Sequence, residues 1–214
     1  MEQRLLRTVC PITETAGRLL LLLVLLLILQ LACPGQVSAL QPPPGSVKIN
    51  DFDYAGSGCP PGSVELVMSD DGNAMTLKFT KHLATTYKSA VHRKRTCTAS
   101  VGLSYPAEFA IGVGSVSVRG YAKLDGGVSG SIKAPYYFSG QRGMASSKRV
   151  IKGPFNNNFE YSDSFGPVYS ACGTEPKLSI VTEIKVNPGR AAKGGGFIRV
   201  ESTPQILDLV WKRC

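Results

Sequence analysis

The chain offers few residues for catalysis. His82 and His92 are its two imidazoles, both in the basic segment Lys81 to Arg95, and the sequence contains neither a Gly-x-Ser-x-Gly elbow nor a His-Glu-x-x-His zinc motif. A nucleophile and its base would have to be brought together wholly by the fold. Asp51 and Asp53 would share one face of a strand, where paired carboxylates could act as general acid and base on a glycosidic bond. The plainer reading is a solvated strand end, because any β-protein offers such i, i+2 pairs. Asp70-Asp71-Gly72-Asn73 has calcium-type ligands without the twelve-residue loop spacing, and a hairpin turn accounts for it. Gly112-x-Gly114 lacks the third glycine of a dinucleotide loop and a helix after it, so no cofactor is expected there or elsewhere.

Two groups suit binding better than catalysis. His92-Arg93-Lys94-Arg95 abuts Cys97, so it must be a loop or strand edge held near a cross-link. Arg93, Lys94 and Arg95 would attract phosphate or uronate; the same run could instead be a protease processing site, or simply keep an edge strand from pairing with neighbours. No aromatic residues interleave with these charges, which argues against nucleic acid. In Tyr136-Tyr137-Phe138, successive strand residues face opposite sides, so Tyr136 and Phe138 fill the core while Tyr137 points out, or the reverse. An outward Tyr137 is a platform on which a sugar ring can stack. The ligand-binding residues expected from sequence are therefore Tyr137, Arg93, Lys94 and Arg95.

The elements that must position these residues follow from compartment and periodicity. Residues 1–39 read as a signal peptide: Arg4, Arg7 and Arg18 precede an apolar run from Leu19 to Leu29, and Val37-Ser38-Ala39 supplies small residues for cleavage before Leu40. An uncleaved anchor is the rival, but the run of about 11 residues falls short of the roughly 20 that span a bilayer. No later run approaches that length, so no stable membrane anchor is expected after cleavage. Leu31-Ala32-Cys33 is a poor lipid-attachment signal, with Gln30 where a Leu is wanted.

Cleavage removes Cys10 and Cys33 and leaves Cys59, Cys97, Cys172 and Cys214, an even number that reads as two disulfides in a secreted chain. Of three connectivities, pairing of sequence neighbours is favoured: Cys59 with Cys97 and Cys172 with Cys214. A zinc site is the alternative, yet no pair has Cys-x-x-Cys spacing. The leader carries three basic residues and two acidic ones, a net +1, so the +9 of the whole chain becomes about +8 in the mature protein. That excess favours anionic partners.

After a stiff spacer at Gln41-Pro42-Pro43-Pro44-Gly45, the chain alternates in period two. The clearest strands are Cys97 to Tyr105 and Leu178 to Val186. Val64 to Phe79 reads as a hairpin that puts Val64, Leu66 and Met68 on one face with Met75, Leu77 and Phe79. Further strands are expected at Val47–Phe52, Phe109–Val118, Val128–Lys133, Tyr136–Phe138, Phe197–Glu201 and Leu207–Trp211. Gly194-Gly195-Gly196 reads as a flexible connection, Trp211 as core packing around a disulfide, and Lys81–Val91 as the one stretch that could be helical, against which Thr85, Thr86 and Tyr87 argue. Eight to ten short strands predict an all-β, two-sheet antiparallel sandwich, with a jelly roll as one form of it. The domain would run over 56–214, preceded by a spacer and first strand at 40–55.

Several segments, in order, carry a family likeness: Gly56-Ser57-Gly58-Cys59-Pro60-Pro61-Gly62-Ser63-Val64; Lys94-Arg95-Thr96-Cys97; Ser104-Tyr105-Pro106; Arg119-Gly120-Tyr121-Ala122-Lys123-Leu124-Asp125-Gly126-Gly127-Val128; Tyr136-Tyr137-Phe138-Ser139-Gly140; Ser170-Ala171-Cys172-Gly173; and Leu209-Val210-Trp211-Lys212-Arg213-Cys214. Together they resemble the domain-of-unknown-function family 4360, secreted β-rich proteins of fungi and bacteria. The resemblance implies a secreted β-rich domain with paired cysteines and brings no biochemical activity with it. Ala171, where the family favours Pro, and Pro106-Ala107-Glu108, in place of a Pro-Gly step, depart from its pattern.

The leading functional expectation is a non-enzymatic extracellular domain that binds cell-wall or matrix polysaccharide, anionic polymers included. Two rivals stand beside it: a protein-interaction module or secreted effector, including a hydrolase inhibitor, and a polysaccharide-active enzyme using paired carboxylates.

Overall fold

The computed structural model describes residues 41–189, 194–200 and 204–214, with the side chain of Pro204 left out. The expected signal peptide, its expected cleavage before Leu40 and the Glu201 end of one expected strand lie outside the described residues.

Alternation of small or polar with bulky apolar residues builds twelve strands among the described residues, where eight to ten were expected. In order they are β1 (Lys48–Ala55), β2 (Val64–Met68), β3 (Ala74–Phe79), β4 (Leu83–Thr85), β5 (Lys94–Ser104) and β6 (Phe109–Leu124). They continue with β7 (Ser129–Phe138), β8 (Ala145–Lys152), β9 (Phe155–Ser164), β10 (Lys177–Asn187), β11 (Gly196–Arg199) and β12 (Pro204–Arg213). A single 3₁₀ turn at Ala90–His92 stands in the stretch where a helix had been considered, beside β4. Two expected strands, Val128–Lys133 and Tyr136–Phe138, are one: β7 runs through Pro135, which cannot donate, so the β10 ladder is interrupted there and resumes in the same register. β6 continues six residues beyond Val118, and β8 and β9 were not foreseen.

All pairings are antiparallel. One sheet (sheet A) has the order β1-β5-β10-β7-β8; the other (sheet B) has β2-β3-β12-β6-β11-β4, with β9 on the free side of β6. Sixteen residues make β6 long enough to pair first with β12, over Phe109–Val118, and then with β11, over Tyr121–Leu124. The inner faces meet in one apolar core: Val101, Leu103, Ile132, Tyr136, Phe138, Ile180 and Ile184 from sheet A lie against Met75, Leu77, Ile111, Val118, Leu124 and Leu207 from sheet B. Tyr136 and Phe138 are the buried pair of their triplet and Tyr137 faces out.

Two side-chain hydrogen bonds cross the core between the sheets. Tyr136 Oη donates to Val113 O at 2.6 Å, and Thr182 Oγ1 to Gln205 Oε1 at 2.7 Å. The disulfides join Cys59 to Cys97 and Cys172 to Cys214. The first ties the β1–β2 connection to β5, and the second ties the β9–β10 connection to the end of β12. Trp211 packs edge-on against Tyr105 and Phe109, and its indole donates to Asn73 Oδ1.

Candidate functional site: an aromatic and basic groove on sheet B

In the second half of β6, Gly120, Ala122 and Leu124 face the core, which sends Arg119, Tyr121 and Lys123 to the outer face. Gly120 has to be glycine: a Cβ there would lie 2.3 Å from Arg199 O and equally close to the Phe159 ring. That close approach seats β11 with Phe197 opposite Lys123 and Arg199 opposite Tyr121. The Tyr121 and Phe197 rings lie 5.8 Å apart, and the Arg199 guanidinium sits 5.2 Å above the Tyr121 ring. On the other flank, β9 sets Asn158 beside Tyr121 and Asn156 beside Lys123, and Tyr121 Oη donates to Asn156 Oδ1. Next to β11, β4 completes a cleft of about 360 Å³ lined by Leu83, Thr85, Tyr87, Lys88, Phe197 and Arg199.

Gly195 and Gly196, expected to be a flexible connection, are part of this wall. Gly195 N donates to Asp125 Oδ2 at 2.8 Å, Gly196 N donates to Thr86 Oγ1 at 2.8 Å, and a Cβ on Gly195 would run into the Tyr87 ring at 2.4 Å. Tyr87 itself is 59% exposed.

Across β4 the groove continues into a second cleft of about 310 Å³, sharing Leu83, Thr85 and Lys88 and adding Lys81, His92, Arg95, Ser57 and Pro60. Among the described residues no acidic residue lines it. Here the basic run divides as strand geometry requires: Arg95 turns into the cleft, whereas Lys94 points to the outer face of sheet A and pairs with Glu183 at 2.7 Å. Arg93 is half-buried, and its backbone carbonyl accepts from Val186 N. Tyr137, 38% exposed, lies opposite Ser179 on the outer face of sheet A, while Lys94 lies opposite Lys185. Six residues along β10 separate the two positions, on the order of 20 Å. The fold therefore does not bring Tyr137 and the basic run together.

The carboxylates and imidazoles are engaged in structure. Asp51 and Asp53 do share the outer face of β1, but Asp51 accepts from Lys177 Nζ at 2.8 Å, and that hydrogen bond and charge hold its carboxyl below the usual range. A general acid needs the opposite shift. Asp71 Oδ1 accepts from Ser69 Oγ and Asn73 N within the β2–β3 turn, where Gly72 takes a φ of +69°. His82 is fully buried against Phe79, with Nδ1 donating to Gly58 O at 3.0 Å; burial pushes its pKa down to about 4, so the ring is neutral. Among the described residues no cluster of three or more metal-ligating side chains occurs.

Tyr121, Phe197, Arg199 and Tyr87 were not singled out from sequence as a site. The alternation of Arg119, Tyr121 and Lys123 with Gly120, Ala122 and Leu124 was a usable signal. The β6–β11 register that adds Phe197 was not.

Comparison with known proteins agrees with the compartment. A secreted protein of Arthroderma benhamiae, described as uncharacterised, is 33% identical over 183 residues, which cover 81% of this chain and 74% of the relative. With two disulfides in the same chain, the protein is extracellular and secreted. Among solved structures, a carbohydrate-binding module in complex with β-1,4-galactotriose aligns over 77% of this chain and 90% of its own, at 13% identity and a TM-score of 0.26. The enzymatically active domain of tailspike protein 4 of bacteriophage CBA120 aligns over 77% of this chain and 20% of its own, at 10% identity and a TM-score of 0.25. Overlaps this loose establish neither a shared topology nor a shared site. Residues 45–214 match the model of the domain of unknown function DUF4360, and the chain belongs to that family.

Proposed function

We propose that this protein is a non-enzymatic extracellular domain that binds cell-wall or matrix polysaccharide, and that the groove on sheet B is where it does so. The observation that supports this reading is the Tyr121–Phe197 ring pair, half-exposed on a sheet face and bordered by Asn156, Asn158, Lys123, Arg199 and Lys88. Aromatic faces suit the C–H faces of a pyranose, and fixed amide and cationic donors suit its hydroxyls; a concave apolar site with a few placed polar groups is how small ligands are held. Tyr137 offers a separate single-ring contact on sheet A. Arg95 extends the groove toward charged sugars, while Arg93 and Lys94 add positive charge near that end.

The test is a pull-down of the oxidised secreted protein on insoluble chitin, β-glucan, cellulose and pectate at low and moderate salt. Retention on a neutral polymer at both salts, lost in Tyr121→Ala and Phe197→Ala, is the expected result. No retention on any polymer overturns the reading and favours a protein partner instead.

A further inference from the structure

The outer face of sheet A carries a charge arrangement that folding alone would avoid. In the ladder between β5 and β10, Lys94 stands directly opposite Lys185; in the ladder between β7 and β8, Lys133 stands directly opposite Lys148. Such neighbours have Cβ atoms about 5 Å apart, and like charges there destabilise a sheet. The two pairs are adjacent, because Lys133 lies opposite Glu183 and diagonal to Lys185. Glu183 is the one acid among them and is already bonded to Lys94. Among the described residues, no carboxylate forms an ion pair with Lys133, Lys148 or Lys185. All three are exposed, and Thr96 and Ser131 stand among the lysines on the same face.

We infer that this four-strand lysine face is a binding surface for an anionic polysaccharide, a polymer bearing carboxylates or sulfates along a hydroxyl-rich backbone. Four ammonium groups answer a run of anionic substituents, and the threonine and serine hydroxyls answer the sugar hydroxyls between them. The other extracellular polyanions fit less well. The exposed aromatic of this face, Tyr137, stands four residues along β7 from Lys133, about 13 Å away, so no ring lies among the lysines for a base to stack on, and Val150 is the one exposed large apolar residue directly beside them among the described residues, too little to enter a bilayer. The surface lies on the sheet opposite the ring groove, so the inference stands whether or not the groove binds sugar.

The protein is tested on immobilised polygalacturonate and dextran sulfate, with uncharged dextran, phosphatidylserine vesicles and duplex DNA in parallel, over a series of salt concentrations. Retention on the two charged polysaccharides, weakening steeply with salt and at least tenfold weaker in Lys133→Gln/Lys185→Gln and in Lys148→Glu, is the expected result. The thermal midpoint of these variants should equal or exceed that of the parent at low salt, since each removes a like-charge contact; a loss of binding therefore cannot be a loss of fold. The inference is overturned if the lysine variants bind unchanged, if Lys81→Gln/Lys88→Gln in the groove abolishes binding instead, or if vesicles or DNA are bound more tightly than either polysaccharide at equal salt.

Discussion

The two outer faces of this sandwich are built by the same alternation and end in opposite states. On sheet B both outward arginines of the groove are engaged, Arg199 over the Tyr121 ring and Arg119 with Glu160 at 2.7 Å, and Tyr121 is fixed by Asn156. On sheet A, Lys133, Lys148 and Lys185 stand in solvent beside their own kind. A groove whose side chains already hold one another costs little to order and can recognise shape, whereas free ammonium groups supply long-range attraction with little direction. The first should be insensitive to salt and the second governed by it.

Breaking the frame that both faces share should have the largest effect. Cys59–Cys97 joins residues 38 apart in the sequence and fixes Ser57 and Arg95 at the basic end of the groove. In the chain-entropy model a loop of that size contributes about 4 kcal/mol. Cys59→Ala/Cys97→Ala is expected to lose about that much in denaturant unfolding, and both faces should lose ligand together at the new midpoint. Ligand loss on one face well before unfolding would show that the faces do not share one cooperative unit.

Acid acts on the same frame and comes next. His82 has a folded pKa of about 4 against an ordinary value of 6.5, so between those values the unfolded chain binds the extra proton. The resulting stability is complete above pH 6.5, declines as pH falls, and is gone near pH 4, an overall change of about 3 kcal/mol. The Asp51 carboxyl, held low by Lys177, titrates below that window. Unfolding free energy should therefore fall between pH 6.5 and 4, and His82→Gln should flatten that slope. An unchanged slope in the variant would refute the assignment to His82.

The platform separates the faces from one another. Tyr121→Ala is expected to weaken neutral-glycan binding by about tenfold, roughly 1.4 kcal/mol, at low and moderate salt alike, and to leave the thermal midpoint nearly unchanged. Strong salt dependence of this loss in isothermal titration would erase the distinction drawn between the groove and the lysine face.

Much of the frame was legible because its strands bury one face. Cys97 to Tyr105 and Leu178 to Val186 are half-buried partners in sheet A, and their period-two pattern is the pattern of their burial. The hairpin from Val64 to Phe79 was equally plain, since Asp70 to Asn73 is turn chemistry whose hydrogen bonds close on themselves. The edge strands were not. Ala145–Lys152 is polar on both sides, and Asn156-Asn157-Asn158 carries local turn propensity that pairing with β6 overrides. The groove was hidden for a related reason: Tyr121 and Phe197 become neighbours through a β6–β11 register that no local pattern encodes. The paired lysines were hidden likewise, each looking like an ordinary solvated residue until the ladders set them opposite one another.

That last feature also gives the smallest predicted effect. A directly opposed like-charge pair on an antiparallel sheet costs roughly 0.2–1 kcal/mol, and a surface interaction of this kind is screened by salt. Raising ionic strength from low to moderate should therefore raise the thermal midpoint of the parent protein by more than that of Lys148→Glu, in which the contact with Lys133 becomes attractive. At high salt the two midpoints should converge. If they differ equally at every salt, packing rather than charge separates them, and the contrast between a self-satisfied sheet B face and a repulsive sheet A face loses its physical basis. If they converge, the repulsion is real, and a fold that keeps it has reason to be sought in what the lysines bind.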